Sequence, residues 1–180
     1  MSGILGGAGS KSGVIGEIGL GVSHLTHFTL SSNDTVVDGK ITNWNTPSTA
    51  LSNSGSIGKL VTESAGVFTL PTSGIWMIQA VFQSYHIAGD NWVIAQLWQS
   101  NGTPVILAES FNGGTLSGAT WTDQGHSCAL NYIVKEQGNT FEFRTSSISG
   151  GSYVYGFPGW TVGAQKSYVT FIKLGNSSST

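Results

Sequence analysis

The chain has 180 residues, a net charge of −2 and only 9% charged residues, against about 25% in ordinary soluble domains, a length that suits one domain whose core stands without disulfides. Lys11, Lys40, Lys59, Lys135, Arg144, Lys166 and Lys173 are scattered and form no basic stripe, which argues against a nucleic-acid partner. The single Cys128 has no internal disulfide partner, and no run of about 18 apolar residues suits a membrane-spanning helix. So few solvated charges also imply that much of the surface is covered.

Residues 1–21 are too rich in glycine for a stable helix and show no sustained alternation. They nonetheless carry Ile4, Leu5, Val14, Ile15, Ile18 and Leu20, apolar side chains that flexible linkers lack. The expectation is a docking arm that becomes ordered by lying on another protein. The competing reading packs the same leader on its own domain. With Lys11 in a Gly/Ser context and no apolar h-region, no signal peptide is expected.

Strand signals begin at Val22–Ser31, and residues 35–41 hold an Asp38-Gly39 pair suited to a two-residue hairpin. A strand is expected near 57–62. Gly66–Leu70 and Ile75–Phe82 read as two strands around the turn Pro71-Thr72-Ser73-Gly74. Trp92–Trp98 and Val105–Ala108 flank Asn101-Gly102, whose residues tolerate the positive φ of a type I′ hairpin turn. Further strands are predicted near 116–122, 126–134, 139–147, 153–156 and 167–174, followed by a flexible tail at 176–180. Regular turns between many short strands, with no capped helical stripe and no internal repeat, predict an all-β sandwich or barrel over residues 22–175.

The Ile75–Phe82 segment is apolar on both faces. Trp76, Ile78, Ala80 and Phe82 point one way, Ile75, Met77 and Val81 the other, and only Gln79 breaks the second row. A sandwich sheet buries one face, so the second row calls for a further protein surface, most economically a symmetric copy of the same chain. The pattern recurs where Trp92, Ile94 and Trp98 oppose Val93, Ala95 and Leu97, and where Tyr168, Ile172 and Leu174 oppose Val169 and Phe171. Residues of the seam or core are therefore Ile75, Trp76, Met77, Ile78, Phe82, Trp92, Trp98, Tyr168, Phe171 and Ile172. Burial of the extra positions under long loops is the plainer alternative.

Gly66-Val67-Phe68-Thr69-Leu70-Pro71 followed by Gly74-Ile75-Trp76 and an aromatic strand resembles the approach to the central strands of the tumour necrosis factor and complement globular-head superfamily. Ser167–Leu174 is similar to that superfamily's last strand. The resemblance implies a jelly roll of about ten strands assembled as a homotrimer. No Gly-X-Y stalk precedes the head in this sequence, a departure from the complement branch. Separately, Ile4–Gly16 resembles the leader of structural proteins of tailed bacteriophages, which implies a virion protein whose arm docks on the particle.

Chemistry-bearing residues are sparse. His126 and Cys128 share a strand face as two metal ligands would, but nothing completes a set, and a buried thiol beside a hydrogen-bonded histidine accounts for them. His24 and His27 face opposite ways on one strand, and His86 before the Ala88-Gly89-Asp90 turn is expected to be exposed. A trimer gathers three copies of any axial histidine, which zinc content would reveal. Asp34, Asp38, Glu63, Asp90, Glu109, Asp123, Glu136 and Glu142 include no close pair for general acid and base. Asp34 and Asp38 are calcium candidates by the resemblance, against the ordinary expectation of solvated turn acids. Without a nucleophile elbow, phosphate loop or dinucleotide fingerprint, the chain is expected to be no enzyme and to need no cofactor.

The segment 147–160 is aromatic and almost uncharged. Tyr153, Tyr155, Phe157 and Trp160 offer stacking faces for a host glycan or a protein pocket, or else pack under a neighbouring loop. Three functions follow: a trimeric capsid decoration (cement) protein docked on the major capsid protein, a receptor-binding tip of a tail or head fibre, and a free lectin. Absence of a shaft and of a signal peptide favours the first, on the particle surface.

Overall fold

A computed structural model of the chain describes residues 22–34, 38–45, 56–86, 92–113, 122–134, 139–146, 152–154, 156 and 167–176. Eleven strands and no helix are found among them: β1 (His24–Thr29), β2 (Ser56–Ile57), β3 (Thr62–Ser64), β4 (Val67–Thr69), β5 (Ile75–His86), β6 (Trp92–Gln99), β7 (Val105–Gly113), β8 (Thr122–Val134), β9 (Thr140–Ser146), β10 (Tyr153–Val154) and β11 (Tyr168–Gly175). They form two antiparallel sheets. One runs β10-β5-β11-β1-β2, with β8 also paired to β5; the other runs β3-β4-β9-β6-β7.

Alternation places the core between the sheets. Trp76, Ile78, Ala80 and Phe82 of β5 and Val169 and Phe171 of β11 face Phe68, Ala95, Leu97, Phe141 and Phe143 of the opposite layer, all buried. Phe68 is the hub of an aromatic cluster, with ring centroids 5.0 Å from Phe28, 5.3 Å from Trp44, 5.6 Å from Phe143 and 5.2 Å from Phe171. The two indoles buried among the described residues each have a partner for the N–H, as burial of a polar atom requires. Trp44 donates to the Ile41 carbonyl at 3.0 Å and Trp76 to the Thr72 carbonyl at 3.1 Å.

Several expected local features take another form. The first arm of the hairpin expected at 35–41 lies outside the described residues; residues 43–45 run antiparallel to 29–31 through the Leu30–Trp44 bridge, Lys40 bridges to Arg144, and the segment crosses the core edge with Ile41 and Trp44 buried. The turn at 71–74 carries the chain from one sheet to the other, so β4 and β5 are not paired. β6 and β7 do pair as a hairpin, but residues 100–104 connect them, and positive φ occurs there only at Gly102. A two-residue hairpin joins β3 and β4, where Ala65 and Gly66 both have positive φ. A Cβ at Gly66 would stand 2.5 Å from the Ile41 carbonyl oxygen, and its N–H donates to Glu63 Oε1 at 2.6 Å. β8 contains the segment expected at 126–134 and begins at Thr122, while residues 116–121 lie outside the described residues.

Candidate functional site

The two outer sheet faces differ chemically, and the difference singles one out. Cross-strand partners share a face, so the register assembles rows across the β5 sheet. Ile57 pairs with Leu25, Leu25 with Ile172, Ile172 with Met77 and Met77 with Ile133. This single apolar row crosses five strands on the side away from the core. Its ends are open, with Ile57 50% and Ile133 61% exposed, and Leu174 beside it is also exposed.

The next row is uncharged polar: His27, Thr170, Gln79 and Asn131. His27 Nδ1 lies 2.7 Å from Thr170 Oγ1, and Gln79 Nε2 donates to Asn131 Oδ1 at 3.3 Å. A third row holds Tyr168, Val81 and Ala129, with Tyr168 5.2 Å from the His27 ring. Among the described residues this face bears no Lys, Arg, Asp or Glu, because Lys173 faces inward on the row of Val169 and Phe171.

The outer face of the other sheet is ionic. Buried Glu142 pairs with Arg144 and lies 4.0 Å from Lys40. The Arg144 guanidinium stacks 4.4 Å from the Trp98 ring, whose Nε1 donates to Gln96 Oε1 at 2.9 Å, and Gln96 Nε2 donates to Glu109 Oε1 at 2.6 Å. These groups satisfy one another and leave a closed network.

The residues expected at the seam or core divide accordingly. Trp76, Ile78, Phe82 and Phe171 are core. Ile75, Met77, Tyr168 and Ile172 are half-buried on the uncharged face. Trp98 lies on the opposite, ionic face, so a single flat seam does not contain both it and Met77; the Trp92 side chain lies outside the described residues. Sequence reasoning missed Leu25, Ile57 and Ile133, whose signal is the register and not the pattern of any one strand. On β7, the last strand in the order of its sheet, Phe111 is 73% exposed.

The remaining candidates are dispersed. The arm residues Ile4, Leu5, Val14, Ile15, Ile18 and Leu20 lie outside the described residues, as do Tyr155, Phe157 and Trp160 and the side chains of His86, His126 and Cys128. Tyr153 is half-buried in β10, paired with Tyr85, while its neighbours Ser152 and Val154 are buried. Asp34 is not a solvated turn acid: it is buried, and its Oδ2 accepts the Thr42 N–H at 2.9 Å. Among the described residues no three His, Cys, Asp or Glu side chains converge on a metal position.

Two comparisons of the fold are informative. Murine APRIL superposes with a TM-score of 0.58 over 84% of this chain and 98% of that one, at 10% identity. Eiger TNF from S. frugiperda gives 0.54 over 88% and 90%, at 16% identity. The fold is the tumour necrosis factor jelly roll. No protein-family model matches the sequence, and no curated protein sequence matches it either. The likeness therefore lies in the tumour necrosis factor architecture, at sequence identities too low to carry a function with it.

Proposed function

We propose that this protein is a homotrimeric structural head of a tailed-bacteriophage virion, a decoration protein that caps the capsid shell and docks on the major capsid protein through residues 1–21. The observation that carries the trimer is the uncharged outer face of the β5 sheet, with its apolar row from Ile57 to Ile133. An apolar row of five strands' width on an outer sheet face, half-buried at its middle and exposed at both ends, calls for a cover. Exposed Phe111 on β7 supplies a second, different apolar contact. An edge-to-face contact between unlike patches is heterologous, and such contacts close into a ring when the rotation permits. The tumour necrosis factor fold supports this reading.

The virion assignment rests on the leader's resemblance at Ile4–Gly16, and its apolar residues suit a segment laid over a neighbouring protein. Glycines let such an arm follow a surface closely. Deleting residues 1–21 is expected to leave the trimer intact, by light scattering after gel filtration, and to abolish cosedimentation with particles. A truncated chain that misfolds would assign the leader to the head, and one that still binds particles would remove its docking role.

A further inference from the structure

At the end of the sandwich where β1 begins and β11 ends, His24 and Lys173 lie side by side, and exposed Lys59 follows β2 in the adjoining turn. His24 and Lys173 are direct cross-strand partners, and Lys173 is paired in turn with Trp76. The His24 ring stands edge-on to the Trp76 indole at 5.8 Å. Gly58, just before Lys59, packs on the same ring: a Cβ there would lie 3.2 Å from its Cγ. Lys59 follows in the chain and is exposed, and desolvation first, then the charges of Lys173 and Lys59, hold the His24 pKa below its usual value.

Lys173 is the unusual member. It is only 7% exposed, and its Nζ donates to one neutral partner, Thr72 Oγ1, at 3.2 Å. The ion pairs among the described residues join Glu142 to Lys40 and Arg144, on the other sheet. A buried ammonium is costly unless an anion faces it, and this one has donors to spare. Its stem runs over Gly74, where a Cβ would come within 2.6 Å of Lys173 Cε. A glycine at that position is what leaves room for the side chain. Ser23 adds a hydroxyl at the rim, 3.1 Å from His24 Nδ1.

We propose that Lys173, Lys59 and His24, with the hydroxyls of Ser23 and Thr72, form a binding site for a tetrahedral oxyanion, a phosphate or sulfate group that is free or carried by a larger molecule. Lys173 supplies the charge from within the fold and exposed Lys59 supplies it from the rim, so a terminal group enters while the rest of its carrier stays in solvent. Donors arriving from β1, β11 and two turns surround a tetrahedral group better than a planar carboxylate.

The test is calorimetric titration of the full-length protein with inorganic phosphate and with sulfate at low ionic strength, alongside the melting temperature. Saturable binding and a raised melting temperature are expected, with an affinity loss of about tenfold for each charge removed in Lys173→Met and Lys59→Gln. Should Lys173→Met fail to fold, Lys59→Gln and His24→Gln carry the comparison. Glucose 6-phosphate separates the sources: binding as tight as inorganic phosphate marks a carried group, and weaker binding marks the free ion. Absence of saturable binding by either anion, or unchanged affinity in Lys59→Gln and His24→Gln, overturns the site.

Discussion

Replacing Met77 with glutamate puts a charge in the middle of the apolar row without touching the core, since Met77 faces away from Trp76 and Ile78. In an isolated subunit Ile133 is 61% exposed and Ile57 and Leu174 about half exposed. Covering the open part of each contributes about 1 kcal/mol, from the roughly 1.5–3 kcal/mol for burying a whole side chain of this size. A seam of this composition is therefore stabilised by a few kcal/mol from these side chains. A carboxylate buried there meets no cation, because the described part of the face bears none, and an uncompensated buried charge costs about 3–5 kcal/mol. Three seams per trimer bring the shift to roughly 12 kcal/mol, more than a millionfold in the association equilibrium. Sedimentation velocity at micromolar concentration is expected to give a trimer for the parent and a monomer for Met77→Glu, with an unchanged far-ultraviolet circular dichroism spectrum. Thr62→Glu, at an exposed position on the outer face of the other sheet, is the control and is expected to remain trimeric. A trimeric Met77→Glu protein, or a monomeric parent, would refute the seam.

Two predictions concern the subunit itself. Phe68→Ala removes a fully buried ring from contact with four aromatic neighbours and is expected to cost about 3–5 kcal/mol in denaturant unfolding at fixed protein concentration; a loss below about 1 kcal/mol would mean the cluster is not the centre of the core. His24 has a pKa depressed by desolvation first and by Lys173 and Lys59 next, so below about pH 6.5 the unfolded chain takes up a proton that the folded chain resists. Its contribution to stability is thus present above pH 6.5 and is lost as the pH falls towards the depressed folded-state value. In anion-free buffer the parent is expected to lose more thermal stability than His24→Gln between pH 7 and 5, and parallel curves would contradict that environment.

The two rows of β5 and the inward row of β11 were legible in the sequence because strand alternation has a fixed period of two. On the same row of β11 as Val169 and Phe171, Lys173 carried a readable signal, a cation on a buried parity. The apolar row from Ile57 to Ile133 was not legible, because it exists only once five strands are brought into register. β1 even inverts the usual pattern: Thr26 is buried, its Oγ1 accepting the Val61 N–H at 3.0 Å, while Leu25 faces outward. Ile41 and Trp44 escaped notice because an irregular segment held by isolated bridges has no period to read. Asp38-Gly39 has the local chemistry of a hairpin turn, but the partner of Lys40 is Arg144 in β9, far along the chain where no local signal reaches.

The central claim, a trimer that decorates a capsid, is tested most directly by the copy number of this chain in purified particles, measured by quantitative mass spectrometry against the major capsid protein. Hundreds of copies per particle are expected; a few to a few tens would place the trimer on fibres, and none would remove it from the virion.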